Sequence, residues 1–425
     1  MMIYYNQFQR KLFFSDLKIN DLPCIDPRKI PFDEIESFFY LFRGNWLEKN
    51  SLATLIHPDQ ISGKREQLNI LQKIESTSDV FATFPEWIKE KIRNRQVGIC
   101  NCDCPHWKER LEWTVPEQWT INIVGLGNVG GTLLTGLRLL GDEKINMIGI
   151  FDTNENLVSR WEQEINQVID CSYQRKLPRV KILQSDMIFQ ADIVVFCVSV
   201  GVPPLGSEVQ DVRMYQLKAN SKLINYYAQV ARKVNYQGMF AIVSDPVDLL
   251  CQSAFLSSNR NENGELDGKG LAADQIRGFG LGVMHGRVAY YAEQDDKTRH
   301  YLKKGRVFGP HGDGLQVTDD IDSYHPELSS LLAKKALNAN MELRKIGYKP
   351  YVAPALSSGV FSLLALMNGQ FHYSAGFLGG IFWGSKNRQT PVGIEWEQLN
   401  FSQDLAIKLY ESYENLKKQA KNLEI

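Results

Sequence analysis

The sequence predicts an α/β fold: a doubly wound parallel sheet followed by an α+β domain, with a mainly helical extension in front. Three observations carry this. From residue 119 onward, short apolar runs of strand length alternate with segments of helical periodicity, the order that builds a parallel sheet covered on both faces. A glycine triplet separates the first such strand from its helix. After residue 257 the texture changes to long helices and then strands in sequence. The boundaries follow as 1–118, 119–257 and 258–425.

A chain of 425 residues can bury large cores and fits two or three domains. Hydrophobic content of 44%, charged content of 23% and a net charge of −1 give no electrostatic case for nucleic acid or an anionic membrane as partner. The start, MMIYYNQFQRK, lacks the basic head and apolar core of a signal peptide, and no uninterrupted apolar run has spanning length. Seven cysteines, odd in number and mostly scattered, suit a reducing compartment. The expected location is the cytoplasm.

The extension is rich in aromatics and charge. Pro31 opens a helix presenting Phe32, Ile35, Phe38, Phe39 and Phe42, with Gly44 as its stop; Leu68, Leu71 and Ile74 mark a second, and Pro85 starts a third with Ile88 and Ile92. A helical cap or partner surface is the expected role. Cys100, Cys102 and Cys104 alternate before His106, which in an extended segment would put three sulfurs on one side. Their spacing is tighter than structural zinc sites use and a second ligand pair is missing, so reduced structural thiols are the expected reading, zinc or redox chemistry is the alternative, and no metal is assigned.

Residues 119–152 organise the rest. The run 120–124 reads as a buried strand and stops at Gly125, Leu126, Gly127, Asn128, Val129 and Gly130; Leu133, Leu134, Leu137 and Leu140 then recur at helical spacing, and a second apolar run ends at Asp152. For a bound dinucleotide each part has a job. Gly125 permits the tight turn, Gly127 admits the pyrophosphate to the backbone, Gly130 packs helix on strand, and the helix start at Asn128 and Val129 offers its amides. Asp152 can accept hydrogen bonds from ribose hydroxyls, and with Thr153 and Asn154 beside it there is no cation for a ribose phosphate. NAD is favoured over NADP.

The alternation continues with a helix over 154–170, strands at 180–183 and 191–199, a loop from Val200 and Gly201 through Pro204, a helix beyond Arg213 carrying Leu217, Asn220 and Ile224, and a strand at 240–244 ending in Asp245, Pro246, Val247 and Asp248. These motifs, in this order, resemble the lactate and malate dehydrogenase family over roughly the last three hundred positions. INIVGLGNVG with Asp152 looks like its Rossmann cofactor element, ADIVVFCVSVGVPP like its fourth strand and mobile loop, and SDPVDLL like its Asn-Pro-Val-Asp turn. GFGLGVMHGR is similar to the segment bearing a catalytic Asp and a substrate Arg, and FGPHGD to the motif bearing the catalytic His.

The resemblance implies NAD as cofactor, with Ser199, Gly201 and Asn220 joining Gly125, Gly127, Asn128, Val129, Gly130 and Asp152 in its site. It implies hydride transfer to a 2-oxo acid. His311 would supply the proton, Arg287 would hold the carboxylate and Arg213 would close on the carbonyl. Two departures stand out: Met284 occupies the family's catalytic Asp position, and Asp245 replaces the Asn of the turn, which makes Asp245 the candidate partner for the imidazole. Pro204 stands where malate-specific members have an Arg, and the loop is about three residues longer than usual, so a lactate-like rather than dicarboxylate substrate is expected. A non-catalytic NAD-binding protein is the alternative, on account of Met284. Residues 257–270 read as a surface insertion. Helices over 328–346 and 351–367, antiparallel strands over 371–383 and 389–393, and a helix over 402–419 complete the family-like second half. A homo-oligomer binding a small acid is expected.

Overall fold

The structure is a computed structural model and describes residues 3–19, 22–57, 60–61, 67–73, 79–172, 174–200 and 212–423. The first finding corrects the expected helical extension. Its described residues contribute five strands, β1 (Tyr4–Phe8), β2 (Lys11–Ser15), β3 (Ser37–Phe42), β4 (Leu52–Thr54) and β5 (Val97–Asn101), with helices at Glu86–Arg93 and Trp107–Glu112 among others. The aromatic series that reads as a helical face is β3, SFFYLF, in which every residue after the first is buried. Aromatic side chains fit a pleated surface covered on both sides, and a short continuous apolar run carries no period to separate strand from helix. The helix opened by Pro85 is observed, with Ile88 and Ile92 buried.

The central sheet follows: β6 (Trp119–Val124), β7 (Ile145–Phe151), β8 (Arg179–Ile182), β9 (Ile193–Phe196), β10 (Met239–Ile242) and β11 (Ile276–Gly278). All pair in parallel in the spatial order β11, β10, β9, β6, β7, β8. The chain runs outward from β6 to β8 and then returns to lay β9 on the other side of β6. That reversal opens a crevice at the carboxyl ends of β6 and β9. Helix Asn128–Leu140 buries Leu133, Leu134 and Leu137 against one face, and helices Val212–Lys233 and Val247–Ser258 pack together on the protein.

Beyond β11 come helix Leu281–Glu293, a ribbon of β12 (Arg306–Phe308) and β13 (Gln316–Thr318), helix Pro326–Lys345, and β14 (His372–Leu378), β15 (Ile381–Thr390) and β16 (Gly393–Trp396). The single strand expected over 371–383 is a hairpin: Gly379 and Gly380 both have positive φ, the backbone a tight two-residue turn demands, and β15 runs on to Thr390. The helical segment near Pro354 opens as a π-helix, Pro354–Val360. β14 pairs antiparallel with β11, and β16 pairs in parallel with β4. Among the described residues, one sheet of 14 strands therefore crosses all three segments of the chain.

The stretch 257–270 is more than a surface loop. Arg232 grips Asp267 through two hydrogen bonds of 2.7 and 2.6 Å, and a Cβ at Gly268 would lie 3.0 Å from Pro105, so this stretch packs on the extension. Arg110 and Asp274, both nearly buried, form an ion pair of 2.7 Å across the same joint. Among the described residues no helix is long and apolar enough to cross a membrane.

Candidate functional site

At the crevice, the steric demands on each glycine are explicit. Gly125 has φ +92° and its missing Cβ would sit 2.9 Å from the backbone nitrogen of Val198. A Cβ at Gly130 would lie 1.9 Å from the Gly125 carbonyl oxygen, so only glycine lets the helix seat on the turn. At Gly127 a Cβ would meet nothing within 4 Å: no protein contact requires this glycine, and the space beside it is open. Gly127 and Asn128 are exposed and Val129 half-buried, leaving the first amides of a 13-residue helix facing solvent without a side-chain cap. This arrangement fits a pyrophosphate, through amide hydrogen bonds and the helix dipole. Asp152 accepts from the Leu126 amide at 2.8 Å and the Asn154 amide at 3.0 Å, so its carboxylate is fixed at the lip of the turn with lone pairs to spare for hydroxyl donors.

Two strands away, about 10 Å at normal strand spacing, the turn after β10 meets the loop of the β12–β13 ribbon. His311 Nδ1 lies 3.3 Å from Asp245 Oδ1; the imidazole is 10% exposed and the carboxylate 49%. The His311 amide donates to Asp248 Oδ2 at 2.9 Å, and Asp248 is buried. Gly280 makes room for the ring, because a Cβ there would stand 2.5 Å from His311 Nδ1. Gly280 is held in turn by the Ser358 hydroxyl, which donates to its carbonyl at 2.8 Å. Both residues fall within motifs the sequence shows, but the sequence assigns neither Asp248 nor Gly280 a role toward His311. Each acts on a residue distant in the chain, and an acid in the first turn of a helix reads simply as a dipole partner.

Asn220 is fully buried, with its side chain accepting from the Val200 amide at 2.9 Å and donating to the Asp245 carbonyl at 2.8 Å. It joins the exits of β9 and β10 from inside rather than facing the crevice. The Ser244 hydroxyl makes a parallel link, donating to the Val198 carbonyl at 2.6 Å. Ser199 and Val200 are exposed at the crevice mouth. Gly201, Pro204 and the side chain of Arg213 lie outside the described residues.

Met284 is buried in an apolar cluster with Leu281, Val288 and Tyr301. Arg287 donates toward its sulfur at 3.4 Å and also to Asn340 Oδ1. Near it, His285 packs against Tyr373 with the rings tilted, and burial lowers the His285 pKa to about 4; burial likewise lowers that of His372 to about 3. Both rings are neutral near pH 7 and unsuited to carry a proton there. A cleft of about 490 Å³ lies elsewhere, between β13 and helix Pro326–Lys345. The crevice with glycine turn and histidine is the site that the chemistry favours, since the cleft gathers no comparable set of reactive groups.

Of the thiols, Cys100 is buried in β5, with its pKa pushed well above the ordinary value by burial, and Cys104 is buried beyond it.

A doubly wound sheet with a glycine turn after its first strand, an acid directly after the second and a histidine across the reversal puts the chain in the doubly wound α/β class of folds. No family model matches the chain. It is 28% identical to the L-lactate dehydrogenase of Treponema denticola over 195 residues, 45% of this chain and 55% of that enzyme. It is 23% identical to the malate dehydrogenase of Aliarcobacter butzleri over 280 residues, 60% of this chain and 82% of that enzyme. The chain thus spans little more than half the length of the first relative. In fold it is similar to the lactate dehydrogenase MGS-M5 from a deep-sea metagenome library (TM-score 0.58, 17% identity, covering 72% of this chain and 99% of the other). It is also similar to the minor L-lactate dehydrogenase of Enterococcus mundtii (0.58, 18%, 73% and 100%) and the malate dehydrogenase of Picrophilus torridus (0.55, 16%, 71% and 96%). Its neighbours in sequence and in fold are lactate and malate dehydrogenases at low identity, consistent with a divergent member of that family.

Proposed function

We propose that this protein is an NAD-linked oxidoreductase that interconverts a 2-hydroxy acid and a 2-oxo acid, lactate-like rather than malate-like. The observation that carries the reading is the approach of His311 Nδ1 to Asp245 Oδ1, at the sheet edge that also bears the open glycine turn. Gly125, Gly127, Asn128, Val129, Gly130 and Asp152 would hold NAD, which supplies or accepts the hydride. Reduction of the carbonyl leaves an alkoxide on the substrate. With Nδ1 turned to Asp245, Nε2 of His311 is the nitrogen placed to protonate it, and the Asp245 carboxylate offsets the charge on the imidazolium. The acid function of the missing Asp thereby passes from position 284 to position 245.

Arg287 is assigned the substrate carboxylate, exchanging the Asn340 carbonyl for it, and Arg213 the carbonyl oxygen. The apolar packing of Met284 favours one other reading, a protein that binds NAD without chemistry. The experiment is a screen of 2-oxo acids by loss of NADH absorbance, run beside thermal shifts with NADH and NADPH. NADH raising the melting temperature more than NADPH, with turnover of a monocarboxylic 2-oxo acid, is expected. NADH binding without turnover of any acid would establish the non-catalytic reading, and no response to NADH would remove both.

A further inference from the structure

Two imidazoles and a carboxylate converge at the end of the β12–β13 ribbon remote from His311. His300 precedes the short helix Tyr301–Lys304, Asp319 directly follows β13, and His325 stands at the start of helix Pro326–Lys345. His300 Nε2 lies 2.8 Å and His325 Nδ1 2.7 Å from one and the same atom, Asp319 Oδ2. The three atoms fall within 4.8 Å of one another, and no other set of three such ligands gathers among the described residues.

The carboxylate is prepared in a particular way. Asp319 is fully buried, and its other oxygen, Oδ1, accepts from the Ser329 hydroxyl at 2.8 Å and the His325 amide at 3.0 Å. Those two donors fix the carboxylate plane and leave Oδ2 as the atom presented to both rings. This is how partners outside a metal's own ligand set orient a ligating carboxylate. The imidazoles are 33% and 50% exposed, so solvent reaches the point where the three atoms meet.

We propose that His300, Asp319 and His325 bind one divalent transition-metal ion of the zinc class. Two imidazole nitrogens and one carboxylate oxygen are a donor set for zinc, cobalt or nickel rather than for calcium or magnesium. Neutral imidazoles turn lone pairs toward the ion by carrying their proton on the opposite ring nitrogen, so two hydrogen bonds give way to coordinate bonds without net proton loss. Present separations are those of hydrogen bonds. Opening them by a few tenths of an ångström admits an ion about 2.0–2.1 Å from each nitrogen. The start of helix Pro326–Lys345 disfavours a cation, and the buried Asp319 charge opposes that term. The ion would pin together the turn after helix Leu281–Glu293, the ribbon and helix Pro326–Lys345. Water would complete its shell. The inference is independent of the proposed dehydrogenase reading.

The test uses the full chain after treatment with a chelator, titrated with Zn²⁺ by calorimetry and with Co²⁺ by visible absorbance. Expected are one ion per chain, a Co²⁺ ligand-field band and a higher melting temperature in Zn²⁺. His300→Ala and His325→Ala, at partly exposed positions, should each weaken binding at least tenfold while keeping the native circular dichroism; Cys102→Ser and His106→Ala should leave it unchanged. Absence of stoichiometric binding, equal affinity in both histidine variants, or loss confined to Cys102→Ser would each overturn the site.

Discussion

At the scale of the residue, the proposed acid–base chemistry turns on two positions where the chain departs from the pattern it resembles, Met284 and Asp245. Met284 is absorbed into the apolar packing of its helix, while Asp245 brings a carboxylate to His311 from the neighbouring strand end. A contact to a charged group contributes about 1.5–3 kcal/mol when shielded from water. Asp245 is half exposed and 3.3 Å away, so the low end applies. Asp245→Asn, which keeps the shape and removes the charge, should therefore lower kcat about tenfold. His311→Ala should lower it by roughly 10²–10⁴ with NADH affinity retained. Stopped-flow turnover beside NADH titration checks both. An Asp245→Asn enzyme with unaltered kcat would return the search for the imidazole's partner to other acids.

At the scale of the element, the strand, turn and helix from Trp119 to Leu140 contain two glycines with opposite physical reasons. Gly130 is required by the fold, because its Cβ would overlap the Gly125 carbonyl. Gly127 is not: its φ of −64° suits alanine and its surroundings are open. Gly130→Ala should cost about 1–3 kcal/mol in denaturant unfolding, the usual range for overpacking. Gly127→Ala should stay within about 0.5 kcal/mol of the parent yet weaken NADH binding at least tenfold, since the methyl occupies the approach of the pyrophosphate. Undiminished NADH affinity in Gly127→Ala would place the phosphates elsewhere. The steric logic of this turn is local, which made it legible in sequence. The support of His311 is not local: Asp248 lies 63 positions before the amide it accepts from, and no periodicity reports such a pairing.

At the scale of the whole molecule, the N-terminal segment is welded on rather than appended. Its strands extend the sheet through the pairing of β4 with β16, Thr54 and Thr390 bring their hydroxyls within 2.9 Å, and Arg110 meets Asp274 at 2.7 Å with both side chains under 10% exposed. Removing one partner of a buried ion pair typically costs about 3–5 kcal/mol. Arg110→Ala should lose stability of that order in a single denaturant transition shared by the whole chain. Two separated transitions, or a loss below about 1 kcal/mol, would show the extension folding as an independent unit.

What the chain determines by itself is the central sheet and its glycine turn. A strand buried on both faces must be continuously apolar, a helix on its flank must repeat every three to four residues, and a turn with positive φ favours glycine; each rule acts within a few neighbours. Tertiary structure alone decided the rest. Whether SFFYLF became strand or helix depended on the partners β2 and β5 waiting on either side, and the hold of Asp248 on the His311 amide depended on the fold bringing the turn after β10 against the loop of the β12–β13 ribbon. Both are contacts between distant segments, and a pattern read along one segment contains no term for them.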